Sequence, residues 1–136
     1  MTPILLDTSV WIEYFRATGS PAALEVRRVL SIDAGSVVMC EPIAMEILSG
    51  AGQDAVYEKL ERLVNGLPSL ALDESVDFRS AATIYRSARR HGATIRSIND
   101  CVIAAVAIRH GAELIHRDAD FDVIASFTPL AARGIR

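Results

Sequence analysis

Lysine is almost missing from this chain. Lys59 is the only one, although lysine and arginine together number 14. A receiver-type phosphoacceptor needs a lysine near a late strand, and Lys59 falls on a mid-chain helix, which counts against that class. Cysteine is scarce too. Cys40 and Cys101 stand far apart in apolar surroundings without CxxC or Cys/His spacing, which argues against zinc. Two buried free thiols are expected instead.

Long hydrophobic runs are also absent. The longest, Cys101 to Ile108, is far short of the ~20 residues a membrane helix needs. The N-terminus has no basic segment followed by an apolar one, so no secretion signal is expected and the reading is cytoplasmic. There is no P-loop, no GxGxxG and no GxSxG. His91, His110 and His116 therefore lack a nucleophile to serve, and they are expected at the surface or at helix ends.

The last gap is local. Between Phe78 and Asn99 there is no acid, while Arg79, Arg86, Arg89, Arg90, Arg96 and His91 all fall there. Net charge is only −3, so no global basic field marks a nucleic-acid binder. The local stretch fits either a solvated helix face or a phosphate-binding one, with Arg86, Arg89, Arg90 and Arg96 as the candidate contacts.

What is present is a globular composition, 51% hydrophobic and 23% charged over 136 residues, expected to form one domain spanning 1–136. Short apolar runs alternate with helical patterns. Strands are expected at Ile4–Leu6, Ser36–Cys40, Leu70–Leu72 and Glu113–His116. Helices are expected from Ser9 to Arg16, from Pro21 (capped by Ser20) to Ile32, from Pro42 to Leu48, and from Asp54 to Asn65. Three more follow: one from an Asp73 cap to His91, one from Ser97 to His110, and a short one from Phe121 to Ala125. Such alternation predicts a parallel sheet with helices on both faces, and ligands outside the carboxyl ends of the strands.

Acids collect at those ends. Asp7 ends the first apolar run, where it could cap the next helix or point into a cleft, with Thr8 or Ser9 capping in its place. Glu46 lies opposite the apolar arc of its helix, facing either solvent or the same cleft. Asp100 sits in the first turn of a helix that is apolar nearly all round. A buried carboxylate there is unusual unless something cationic meets it. Asp118, Asp120 and Asp122 follow the last strand, more acids than one helix cap requires. Carboxylates sharing a cleft repel one another, and a divalent cation removes the conflict. Oxygen ligands without cysteine or histidine suit Mg²⁺ or Mn²⁺.

The segments "LLDTSVWIEYFR", "CEPIAMEILSG" and "SINDCVIAAVAIRHGAELIHRDADFDVIA" resemble, in order and spacing, the PIN-domain family and within it the VapC-type toxins of bacterial toxin–antitoxin pairs, mycobacterial ones most of all. The resemblance covers essentially the whole chain. It implies a three-layer α/β/α fold with a central parallel sheet of four or five short strands. It implies an Mg²⁺- or Mn²⁺-dependent endoribonuclease that cuts structured RNA, chiefly tRNA anticodon loops, through metal-activated water, leaving a 5′-phosphate. The family's acids map onto Asp7, Glu46, Asp100 and Asp118, with Asp120 competing for the fourth place. Thr8 and Ser9 match supporting hydroxyl positions. A VapB-type antitoxin and a homodimer are the implied partners. The alternative is a non-catalytic RNA- or protein-binding module.

Overall fold

The computed structural model describes residues 2–136. The chain runs β1 (Ile4–Leu6), α1 (Thr8–Phe15), α2 (Pro21–Ile32), β2 (Val37–Val38), α3 (Glu41–Ser49) and α4 (Asp54–Asn65). It continues through α5 (Asp77–Arg90), α6 (Ile98–His110), β3 (Glu113–His116), α7 (Ala119–Ala125) and β4 (Ala131–Gly134). All strand pairs are parallel, in the order β2-β1-β3-β4. Successive residues Leu5 and Leu6 are both fully buried, as are Leu114 and Ile115, so helices cover both faces of the central strands. The result is a three-layer α/β/α fold around one contiguous core.

Sequence signals explain most boundaries. Ser20 accepts the Ala23 N–H at 3.2 Å with Pro21 at the first helical position, which starts α2. Gly111 ends α6 at φ +65°, a backbone state that glycine adopts without cost. α6 is buried from Asp100 through Ala107, as its all-round apolar pattern requires. No helix among the described residues is long and apolar enough to cross a membrane.

Three expectations are corrected. The strand expected at Leu70–Leu72 is reduced to a single parallel bridge between Met39 and Ser69. Asp73 does not cap α5. Its carboxylate accepts the Ser75 N–H and hydroxyl, closing a local turn, and the helix starts at Asp77 instead. The third correction adds the edge strand β4 (Ala131–Gly134), whose composition gives no strand signal. It forms because its backbone completes the exposed edge of β3, where the Cβ position of Gly134 lies 3.2 Å from the His116 ring.

The topology fixes where a site can lie. From β1 the chain first moves outward to β2, then crosses over to β3 on the other side of β1. The β1/β3 junction is therefore the switch point, and its carboxyl end opens a crevice. Asp7 follows β1 there, and Asp118 follows β3.

Candidate metal centre

Asp7 both caps α1 and enters the crevice. Its Oδ2 accepts the Ser9 N–H at 3.0 Å and the Ser9 hydroxyl at 2.5 Å. Capping is thus not left to Thr8 or Ser9, and the choice between cap and cleft does not arise, because the two oxygens divide the work. The Ser9 oxygen in turn accepts the Arg117 N–H at 2.9 Å, tying the end of β1 to the end of β3. The other oxygen, Oδ1, is buried and has no hydrogen-bond partner among the described residues, although the residue is only 4% exposed. An ionised oxygen in that position is costly unless a cation meets it. Burial raises the Asp7 carboxyl to about 6, despite the lowering effect of the Ser9 bonds, and Glu46 adds to the rise.

Glu46 reaches the same place from α3. It is half-buried, and Thr8 donates its hydroxyl to Oε1 at 2.8 Å. The dipeptide after Asp7 therefore serves two acids, Ser9 holding Asp7 and Thr8 holding Glu46.

Asp100, in the first turn of α6, is 6% exposed. Its carboxyl is pushed up to about 8, first by burial and then by repulsion from Asp7, Asp118, Glu46 and Asp120. Every acid proposed from the sequence thus acts on this one. Ligand oxygens of Asp100, Asp118 and Asp120 lie within 4.8 Å of one another. Asp118 caps α7 by accepting the Asp120 N–H at 2.9 Å. Asp122 stands apart, paired with Arg136 at 2.7 Å.

The basic candidates separate. Arg86, Arg89 and Arg90 are exposed on α5, and among the described residues no ion pair involves them or Arg79. Arg96 has turned to the acids instead, pairing with Asp118 at 2.8 Å and Asp120 at 3.2 Å. Its place in an unbroken basic stretch gave no sign of this, because the contact joins loops 22 and 24 residues apart.

His116 also departs from expectation. It is fully buried at the end of β3, neither on the surface nor at a helix end. Its Nδ1 accepts the Asp118 N–H at 3.1 Å, which leaves the proton on Nε2, 3.4 Å from Asp122 Oδ1. Desolvation holds its pKa below the ordinary value, so the ring is neutral and acts as a fixed acceptor for the loop carrying Asp118. The only sequence signal was its position on an apolar strand. Cys40 and Cys101 are free and buried, as expected, and burial pushes their thiols up to about 12 and 11.

Several carboxylates, no sulfur or imidazole donor aimed at them, and one buried unpaired oxygen form a donor set that fits a hard divalent cation. A PIN-domain family model matches residues 4–126. The chain belongs to the PIN-domain family. Within it the kinship is with mycobacterial VapC proteins. The chain is 68% identical over 133 residues to VapC ribonuclease Mb1587 of Mycobacterium bovis, covering 98% of this chain and 99% of that one. Ribonuclease VapC51 of Mycobacterium tuberculosis is 34% identical over 91% of this chain and 86% of its own length. Among solved structures, the fold matches VapBC2 from Rickettsia felis bound to a promoter DNA fragment, with a TM-score of 0.73 at 13% identity over 99% of this PIN domain and 100% of that chain. DNA-bound VapBC from Salmonella typhimurium matches at 0.74 and 18% identity, over 98% of each chain.

Proposed function

We propose that this PIN domain is a divalent-metal-dependent endoribonuclease and the toxin half of a toxin–antitoxin pair. Its kinship with named VapC ribonucleases supports the nuclease activity. The observation that carries metal dependence is Asp7 Oδ1, buried and unpaired beside acids that resist ionising together. Asp7 and Asp100 are the principal ligands, with Glu46 and Asp118 completing the site. A bound cation supplies an activated water and neutralises charge developing on the phosphate.

The chain's own part is positioning. Ser9 fixes the Asp7 carboxylate through Oδ2 and leaves Oδ1 free for the ion. Thr8 holds Glu46 from the opposite wall, and His116 holds the backbone of Asp118. The exposed arginines of α5 contact the RNA backbone, and a single-stranded loop presents the scissile phosphate to the acids, with a tRNA anticodon loop as the favoured substrate.

Two surfaces suit protein partners. A groove of about 310 Å³ between α1, α3 and α4 is lined by Ile12, Phe15, Ile47, Val56 and Leu60 and ends at Thr8 and Glu46. An antitoxin segment laid in this groove reaches the acids directly, in keeping with neighbours solved as VapBC complexes. Exposed Met45 and Phe78 line a second depression, with exposed Ile98 next in sequence to its lining residue Asn99, and this face is assigned to the homodimer.

The test is cleavage of a labelled tRNA with Mg²⁺ or Mn²⁺ by the wild type, Asp7→Asn and Asp100→Asn. Asparagine keeps the cap of α1 intact. Each variant should lose more than the ~10–100-fold that a supporting residue costs, and chelator should abolish cutting. Equal cutting by all three proteins would remove this site assignment, and RNA binding without any cutting would return the chain to the non-catalytic reading.

A further inference from the structure

Arg96 lies in the loop between α5 and α6 and directs three donors at the acids after β3. Its backbone N–H and its Nε–H both reach Asp120 Oδ2, at 3.0 and 3.2 Å. Its Nη2–H reaches Asp118 Oδ1 at 2.8 Å. One guanidinium therefore spans two carboxylates of the cluster.

The other acids have no such partner. Among the described residues, no ion pair involves Asp7, Glu46 or Asp100. Asp7 is 4% exposed and its Oδ1 accepts nothing. The cleft is thus divided into a half neutralised from within and a half left open to an external cation.

We propose that Arg96 is a resident counter-ion that limits the cleft to one divalent cation. It takes the place of a second ion at Asp118 Oδ1 and Asp120, and it leaves Asp7, Asp100, Glu46 and the other Asp118 oxygen to hold the first. The inference rests on the metal-dependent reading above. Two metal ions that share a phosphoryl-transfer site lie only ~3.5–4 Å apart and draw on a common set of carboxylates. A guanidinium is charged at any working pH, so it both uses those oxygens and repels a second dication. Arg96 also cancels part of the repulsion that Asp118 and Asp120 exert on Asp100. Its role is positioning, because the contacts it makes are to the acids.

Counting Mn²⁺ tests this directly. Free Mn²⁺ is followed by electron paramagnetic resonance during titration of the full chain at neutral pH. Wild type and Arg96→Lys should bind one ion. Arg96→Gln and Arg96→Met should bind two, a doubling of the stoichiometry. Two ions on the wild type overturn the proposal. So does a single ion, whatever its affinity, on both neutral variants with melting curves like the wild type's. No ion on the wild type removes the metal-dependent reading as well, so the two failures are distinct.

Discussion

Thr8 donates its hydroxyl hydrogen to Glu46 Oε1 at 2.8 Å, so the residue after the first acid orients the second. The contact crosses from α1 to α3 and spans 38 positions of sequence. Thr8→Val keeps the shape of the side chain and removes the donor. Cleavage should fall by about 10–100-fold, as for other groups that support a metal site, while Thr8→Ser should retain most of the activity. Equal rates for the valine and serine variants would show that Glu46 needs no such support.

The raised carboxyls make stability depend on pH in a definite direction. Asp7 and Asp100 move from 3.8 to about 6 and about 8, so between those limits the folded protein binds more protons than the unfolded chain. Their contribution is fully present below the unfolded value and is lost as pH rises through the folded ones. Buried, neutral His116 acts in the opposite sense below the ordinary histidine value of 6.5, so melting temperature measured in chelator should fall between pH 6.5 and pH 8. Adding Mn²⁺ should raise it more at pH 8 than at pH 5, because the ion needs ionised ligands. Asp100→Asn should flatten the profile in chelator. A profile that rises with pH over that range in the metal-free wild type would contradict the shared, mutually repelling cluster.

The same acids show what the sequence carried and what it did not. Asp7 and Asp118 were legible because each ends a short apolar run, and a parallel sheet brings such ends together. Asp100 was legible as a carboxylate on a helix otherwise buried. Two site features were not: the clamp of Arg96 on Asp118 and Asp120, and the burial of His116 behind them. Both depend on loop closures between distant segments, which local periodicity does not encode. β4 escaped for a related reason, since Ala131 to Gly134 pairs through backbone against β3 and not through side chains of strand type.

Asp77 was also silent in the sequence. It is fully buried, and Arg109 grips it from α6 with Nε on Oδ1 and Nη2 on Oδ2, both at 2.8 Å. The Asp73 N–H adds a third bond at 2.8 Å, and the guanidinium holds this carboxyl below the usual carboxylate range. Removing Asp77 takes away all three of these bonds at a buried position, which destabilises the fold, while Arg109 keeps partial access to solvent. Asp77→Ala should lower the urea midpoint accordingly and leave cleavage by the folded fraction unchanged. In the wild type this contribution is present above the unfolded pKa and is lost only as pH falls through the depressed folded value. It therefore acts at the acid end, opposite to Asp7 and Asp100.

The apolar face gives a test of assembly. Met45 is 57% exposed, Phe78 51% and Ile98 55%, on three different helices or their starts, and no described residue covers them fully. Phe78→Asp places a charge in that face without disturbing the core. Light scattering should give a dimer mass for the wild type and a monomer mass for the variant, with similar melting curves at high concentration. A wild type that stays monomeric at tens of micromolar would remove the dimer assignment.

Arg86 and Arg90 stand one helical turn apart on α5, exposed and without ion pairs, so they share a face and are free to meet phosphates. If they track the RNA backbone, each contact releases counter-ions and steepens the dependence of binding on salt. Replacing both with alanine should flatten the slope of log K against log salt by about 1.4 for a single-stranded segment. Binding should weaken to a similar degree for cleavable and non-cleavable RNAs, because phosphate contacts carry no sequence information. Arg16→Ala gives the control for general charge loss, since Arg16 lines the α1–α3–α4 groove and lies off α5. A slope changed equally by the Arg16 variant and by either α5 single variant would mean that net charge, and not this helix face, governs the encounter with RNA.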